Sequence, residues 1–555
     1  MSGNLSELAG RKGLDKNLFE EYGKAASESG TPSIEDLERL RDEFLVGKST
    51  VYGAVSFYDF LRPENKGKKA YVCNGSACMT AGTQHQVTNK LLSHFDKSQI
   101  GEMCCLGRCH ENSAFHIDGR NYSGTDIDRI GEIKSQPSPT AEKYHVGCSG
   151  TPILTAPIPA VAEYYEILKK ALAKSPSVLL EELKKSGLRG RGGAGFSSAF
   201  KLEACRNAAD DIKFIVCNAD EGDPGAFSDR YIMEERPHAL LQGMLLAGYM
   251  AGARYGVVYI RGEYPESVHI ISNAIAELRE AGFIGEAIAG TNFSFDFKVI
   301  KAQGAYICGE ETALLSSIEG QRPEVRVRPP YPAQKGLFNK PTVVNNVETL
   351  ANIPFIIDRG GAAFAAIGTE RSSGTKLVSL DGHFNRPGIY EVDMGTPLDT
   401  VVNVLGGGFN KPVKALHIGG PLGGLVPVSA IKDLTTDFDS FSKNGFLLGH
   451  ASVVCIPSDF PMIQYIEHLF RFTAHESCGK CFPCRIGSTR GYEMIEKART
   501  SEYKIDRTLL NDLLETLETG SLCALGGGVP LPVKNAIRYF GEELSIYFAD
   551  DHKRQ

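Results

Sequence analysis

The stretch GLRGRGGAGFSSAFKLE (187–203), followed shortly by FIVCNADEGDPGAFSDR (214–230), decides how the middle of this chain is read. Gly190, Arg191, Gly192, Gly193 and Gly195 formally spell a GxGxxG motif. A dinucleotide fingerprint follows a strand and opens a helix. Here the preceding VLLEELKKSG (178–187) has a helical pattern instead. The better reading is a glycine loop whose bare backbone lies against something flat or phosphorylated, because missing Cβ atoms permit close approach and free N–H groups attract anions. Arg191 and Lys201 are expected to add positive charge for a phosphate.

Working outward, FIVC reads as a buried strand running into Asn218, Asp220, Glu221 and Asp223. Polar groups at the carboxyl end of a strand are costly unless they face ligand or water, and ligands of α/β folds sit at that end. YGVVYIRGEYP (255–265) ends similarly, in Glu263. GAYICGEETALLSSIEG (304–320) places Glu310 and Glu311 after a strand and at a helix start, where acids suit the helix dipole. PTVVNNVETLANIP (341–354) adds Asn345 and Asn346, paired amides able to match the carbonyl and N–H edge of a flavin.

The chain has 555 residues, enough for three to four domains. Hydrophobic residues make up 42% and charged residues 23%, the values of ordinary globular domains. A net charge of −7 without a basic stripe argues against nucleic acid as a partner. No apolar run reaches the ~18 residues of a membrane span, and MSGNLSELAGRKGLDKN has no signal-peptide character. A cytoplasmic location is expected, where 14 cysteines point to metal or redox duty rather than a disulfide framework.

The cysteines form two clusters and six singles. ESCGKCFPC supplies Cys478, Cys481 and Cys484, and GSLCALGGG supplies Cys523 as the expected fourth. Three thiolates in one run plus a distant fourth is a ferredoxin-like habit, so a [4Fe-4S] cluster is favoured over zinc, which also fits four thiolates. CNGSAC and CCLGRC supply Cys73, Cys78, Cys105 and Cys109, with the spacing of a thioredoxin-like [2Fe-2S] site. A strand at AYV, a helix over 83–95 and a hairpin over 114–124 with an Asp-Gly turn agree with that fold. A zinc knuckle is the bland alternative.

Taken together, GLRGRGGAGF, CNADEGDPGAF, GAYICGEETALLSSIEG, PTVVNNVETLAN and ESCGKCFPC…SLCALGGG resemble the NADH-binding flavoprotein subunit of respiratory complex I. They equally resemble its relatives, the diaphorase subunits of soluble NAD-dependent formate dehydrogenases, hydrogenases and electron-bifurcating complexes. The resemblance covers roughly 170–555, and residues 50–140 resemble the complex I thioredoxin-like [2Fe-2S] subunit. It implies FMN lying on Gly190, Arg191, Gly192 and Gly193. Lys201, Asn218, Asp220, Tyr306, Gly309, Glu310, Asn345, Asn346 and Thr349 would hold it. NAD(H) would stack on the flavin beside Phe196, Glu221, Asp223, Glu311, Arg328 and Tyr331. No side chain is expected as a catalytic acid or base.

The implied fold is multidomain α/β and α+β. A helical segment (1–66) precedes a thioredoxin-like [2Fe-2S] ferredoxin domain (67–136) and a linker (137–159). A Rossmann-like FMN/NADH domain (160–372), a ubiquitin-like small domain (373–455) and a C-terminal helical bundle with the [4Fe-4S] cluster (456–555) complete it. The implied partners, in a hetero-oligomer, are the catalytic subunit of a formate dehydrogenase or hydrogenase, leaning to formate, with or without a small iron–sulfur subunit. A bifurcating subunit and a zinc-stabilised non-redox scaffold are the alternatives. Bifurcating subunits often carry extra ferredoxin-like cysteines at the C-terminus, and here the sequence ends in DDHKRQ with none.

Overall fold

The computed structural model describes residues 6–549 apart from 8, 11, 12, 28, 137–139 and 141. Part of the expected 137–159 linker and the two chain ends therefore lie outside the described residues.

Three helices, Leu18–Ala26, Ile34–Phe44 and Lys48–Val55, open the chain. The second is the amphipathic IEDLERLRDEF, and Ser33 and Asp36 close a capping box at its start. A first sheet follows, from β1 (Ala70–Cys73), β2 (Ile100–Met103), β3 (Phe115–Ile117) and β4 (Arg120–Tyr122), in the order β2-β1-β3-β4. β1 and β2 are parallel, and β3 and β4 form the expected hairpin. Asp118 (φ 46°) and Gly119 (φ 80°) take the left-handed pair of conformations that a two-residue hairpin turn demands. Between β1 and β2 runs the helix Gln84–Leu92.

The connector after this module is not a loose linker. β5 (His145–Ser149) pairs in parallel with a strand of a later domain. The Glu391 carboxylate then accepts backbone N–H groups from Ile153, Leu154 and Thr155. Strand pairing and one buried carboxylate thus order the described part of the 137–159 linker.

The central sheet is β6 (Phe214–Ala219), β7 (Tyr255–Ile260), β8 (Asp296–Lys301) and β9 (Thr342–Asn346), all parallel, in the order β8-β7-β6-β9. The chain leaves β6 toward β7 and returns on its other side as β9, so a topological switch point falls between β6 and β9. Both faces are covered. Ile215, Cys217, Val258, Ile260 and Val343 point into a core with the all-round apolar helix Pro237–Ala251. Phe214, Val216, Val257, Tyr259 and Val344 point into the opposite core, which contains Leu18, Phe19, Tyr22 and Leu40 of the opening helices and also Cys478 and Cys484. The N-terminal helices thus cover the central sheet, with Phe19 stacked on Tyr259.

Residues 304–310 differ from expectation. GAYIC forms a single turn of 3₁₀ helix, Tyr306–Gly309, held by the Tyr306 N–H, which donates to Glu476, and by the Gly309 carbonyl, which accepts from Asn218 Nδ2. β8 is the strand that precedes it.

A third, mixed sheet contains β10 (Thr375–Leu380), β11 (Gly388–Asp393), β12 (Val413–Ile418), β13 (Gly424–Pro427) and β14 (Ser452–Pro457), with β5 at one edge. Its order is β13-β12-β14-β10-β11-β5. The helices Met462–Glu476, Ser488–Thr500, Arg507–Gly520 and Pro530–Tyr539 end the chain around an apolar core of their own.

Close packing makes one position in the central helix intolerant. A Cβ on Gly243 would fall 2.0 Å from the Leu350 carbonyl oxygen. We expect Gly243→Ala to destabilise the protein by ~1–3 kcal/mol through overpacking, measured as a lower denaturation midpoint.

Candidate flavin site and cysteine clusters

The site lies at the carboxyl ends of β6 and β9, beside the switch point. The glycine loop crosses β9: a Cβ on Gly192 would sit 2.9 Å from the Asn346 Cβ. Gly193 (φ 123°) and Gly195 (φ 60°) hold conformations that glycine accepts without strain. Arg191 departs from expectation. Its guanidinium is fully buried and donates to the Ser373 carbonyl (2.6 Å). Its backbone N–H donates to Thr349 Oγ1 (2.8 Å). Arg191 and Thr349 therefore brace the loop from behind, and the arginine charge is unavailable to a phosphate.

Asn346 is also a brace. Its Nδ2 donates to both Asp229 oxygens (2.9 and 2.7 Å), and its Oδ1 accepts from Thr349. Asn345 Nδ2 and Asp220 Oδ2, by contrast, are buried without a partner. A free amide donor and a free carboxylate oxygen at adjacent strand ends are costly alone, and a ligand with an amide-like edge would satisfy both. Burial also holds the Asp220 carboxyl well above its usual range. The donor set, and a bare glycine loop pressed so closely on Asn346 that Gly192 has no room for a methyl group, fit a flavin.

Lys201 Nζ reaches Glu311 Oε2 (2.8 Å) and the Val344 carbonyl (3.1 Å). Arg328 bonds the other Glu311 oxygen (3.1 Å). Glu310 caps the helix Glu311–Ile318 by accepting the Thr312 and Ala313 N–H groups. Phe196, Phe200 and Tyr331 are 50%, 60% and 55% exposed. Solvated aromatic rings beside charged groups form a rim on which a nucleotide can stack. Asp223 accepts from Tyr306 Oη (2.7 Å).

Glu221, expected at the nucleotide, faces inward. It accepts the Asp229 and Arg230 N–H groups at the start of the helix Ser228–Glu235 and the Tyr264 hydroxyl (3.1 Å). Burial, then Asp229, pushes its carboxyl up to about 7.

None of the 14 cysteines is disulfide-bonded. Cys73 ends β1, Cys78 lies on the helix Ser76–Ala81, and Cys105 and Cys109 follow β2; all four are buried. Cys105 Sγ and Cys109 Sγ are 3.6 Å apart, and Cys73 and Cys78 form the second interacting pair. The Cys105 thiol is pulled down to about 6, first by Cys109 and then, against the cost of burial, by the Arg261 charge and the N–H groups of Gly107 and Gly225. Its partner Cys109 is pushed up instead, first by its hydrogen bond with Cys105 and then by burial, so the pair carries its charge on Cys105.

In the second set, Gly479 (φ 81°) lets the CxxCxxC run coil. A Cβ on Gly526 would fall 2.6 Å from the Cys484 Cβ, so the Cys523 segment abuts that coil. Cys523 feels both Cys478 and Cys484 electrostatically, and Cys484 feels Cys478 and Cys481. Among the described residues, no three of these eight thiols lie within 4.8 Å of one another. Four ligands of one zinc ion would be roughly 3.8 Å apart.

Sequence reading missed several residues that hold the site together. Arg261 donates to the Glu221 and Cys105 carbonyls. Gly225 N–H donates to Cys109 Sγ (3.2 Å). Arg322 donates to the Cys478 carbonyl (3.3 Å). Only Gly225 lies in a recognisable motif, CNADEGDPGAF, and nothing local marks its distant partner.

Comparison with known proteins agrees with this geometry. The Nuo51 FMN-binding domain matches residues 183–355, the iron–sulfur binding region of NADH-ubiquinone oxidoreductase-F matches 464–547, and a thioredoxin-like [2Fe-2S] ferredoxin matches 15–136. The NADP-reducing hydrogenase subunit HndC of Solidesulfovibrio fructosivorans is 42% identical over 70% of this chain and 79% of its own length. The chain belongs to the family of NADH-binding flavoprotein subunits. The mitochondrial NADH dehydrogenase [ubiquinone] flavoprotein 1 of Dictyostelium discoideum is 40% identical, over 68% of this chain and 80% of its own. A solved NAD⁺-reducing [NiFe]-hydrogenase chain superposes with a TM-score of 0.85 at 29% identity, covering 98% of this chain and 96% of that one. As in its family, this protein is an oxidoreductase with FMN, [2Fe-2S] and [4Fe-4S] cofactors. The ferredoxin match starts at residue 15, so it takes in the opening helices.

Gly192→Ala drives a methyl group against Asn346. We expect about a tenfold loss of FMN affinity, equivalent to ~1.4 kcal/mol, with both cluster absorbances retained; flavin content per iron checks it.

Proposed function

We propose that this chain is the diaphorase subunit of a hydrogenase-type complex, exchanging hydride with NAD(H) and single electrons with a partner catalytic subunit. The observation that carries it is the placing of both thiol sets against one flavin cradle. Gly225, in the loop that leaves β6, bonds Cys109, while Cys478 and Cys484 share a core with β6 and β9. Bound FMN supplies the chemistry that converts two-electron into one-electron transfer.

The chain's own residues bind and orient. In this reading Gly190, Gly192 and Gly193 give the flat support, and Asn345 and Asp220 meet the polar edge. Lys201, Asn218, Tyr306, Gly309 and Glu310 line the rest. Phe196, Asp223, Glu311, Arg328 and Tyr331 take the nucleotide at the rim. NAD is taken as the nucleotide from the likeness to the NAD⁺-reducing [NiFe]-hydrogenase chain, since both Glu311 oxygens are already paired with Lys201 and Arg328.

The finer domain readings follow the same support. A parallel sheet with ligand residues at its switch point fits a Rossmann-like flavin domain over 160–372. Counted within 373–455 alone, the strands run second, first, fifth, third, fourth when read from the β11 side, which fits a ubiquitin-like fold. The four C-terminal helices fit the [4Fe-4S] bundle of 456–555. The described residues hold no helix long and apolar enough to cross a membrane, and the reading places the complex in the cytoplasm. A hydrogenase rather than a formate dehydrogenase partner is favoured by the superposition, which extends over 98% of the chain and so includes its N-terminal module.

Reconstituted protein is expected to reduce viologen from NADH. Cys523→Ser should abolish viologen reduction while NADH still bleaches the flavin absorbance in single turnover. Equal loss of both would refute the proposed order of transfer. Nickel in the copurified complex, rather than molybdenum or tungsten, would confirm the partner.

A further inference from the structure

The glycine loop is closed by a segment from a different domain. Just before β14, Gly449 (φ 56°) and Ala451 (φ 64°) turn the chain sharply, and Gly449 lies against Gly193, whose Cβ would sit 3.9 Å from the Gly449 Cα. Between them stands His450, 5% exposed. Its Nε2 is 3.5 Å from Glu221 Oε1 and 3.5 Å from Asp229 Oδ2. Both ring nitrogens are buried without a close hydrogen-bond partner.

The surrounding charges decide the state of this ring. Glu221, Asp229 and Asp223 face it from the chain that follows β6. Lys376 on β10 also faces it, but that ammonium is already paired with buried Glu348. Glu221 already accepts two N–H groups and the Tyr264 hydroxyl, and Asp229 the Asn346 amide; an imidazolium adds the positive charge that those neutral donors do not supply. The carboxylates accordingly raise the His450 pKa to about 9, although burial alone would lower it.

The charge has a route to the flavin cradle. Asp229 takes both contacts of the Asn346 amide, Asn346 takes the Thr349 hydroxyl, and Thr349 takes the Arg191 N–H of the glycine loop. We propose that His450 is a positioning residue, an imidazolium clamped between Glu221 and Asp229 that fixes the Asp229 carboxylate in place and so holds the glycine loop in its FMN-binding shape. This rests on the FMN reading of the cradle.

The test is FMN titration of the full-length, FMN-stripped protein from pH 6 to 10, followed by flavin fluorescence; the chain has no tryptophan to interfere. In the folded protein the ring keeps its proton until pH passes about 9, and the clamp on Asp229 is lost with that proton. Wild-type affinity should therefore weaken as pH passes about 9. His450→Gln should bind FMN about tenfold more weakly at pH 7.5, ~1.4 kcal/mol, with no break near 9. The Glu221 break near 7 should move upward, because the imidazolium lowers it. A merely structural role would weaken binding without moving either break.

Asp229→Asn serves if His450→Gln does not fold, and its break should fall below 9. Unchanged affinity in His450→Gln, or an unmoved break near 9 in either variant, overturns the proposal. So does a divalent ion other than iron that is present in wild type and lost in His450→Gln, since the ring would then be a neutral ligand. A wild-type protein that binds no FMN would overturn the cofactor reading itself.

Discussion

The molecule depends on how the chain leaving β6 is held. That segment carries Asp220 at the flavin cradle, turns Glu221 inward onto a helix N-terminus, and ends by donating the Gly225 N–H to a cluster sulfur. Arg261 pins it from the end of β7, bonding the Glu221 carbonyl on one side and the Cys105 carbonyl on the other. One guanidinium thus fixes flavin loop and thiol loop in a common frame. Arg is suited to this because its fork presents several donors with fixed geometry and stays charged when buried.

The same region concentrates buried acids. Asp220, Glu263 and Glu476 line a cavity with Arg261, Tyr306 and Cys104, where the flavin domain, the thioredoxin-like module and the last domain meet. Burial, then Asp59, pushes Glu476 up to about 7. Carboxyls near neutrality cost less to bury than fixed anions. The site is therefore polar enough to orient a cofactor without carrying its full formal charge.

Much of this was legible because the relevant signals are local. The CxxCxxC run, the CNGSAC and CCLGRC pairs and the Asp-Gly turn each state their geometry within a few residues. The alternation of β6 between two cores follows from a parallel strand buried on both faces. Direction beyond a strand end was not legible. Once the period of two stops, nothing says that Glu221 turns in while Asp220 stays at the cradle, or that Arg191 swings behind its own loop. His450 was silent for another reason: its partners lie more than 200 residues earlier in the chain. The strand within the linker was not legible either, because β5 is ordered by pairing with β11 almost 250 residues away.

The first thiol set is packed directly against the flavin domain. All four sulfurs are buried, and the Gly225 amide and the Tyr264 ring close over the Cys105–Cys109 turn, where Gly107 leaves no room even for a methyl group. The cysteine turn and the flavin domain are thus in direct contact, so a side chain added at Gly107 would press on Tyr264 and be felt on both sides of that seam.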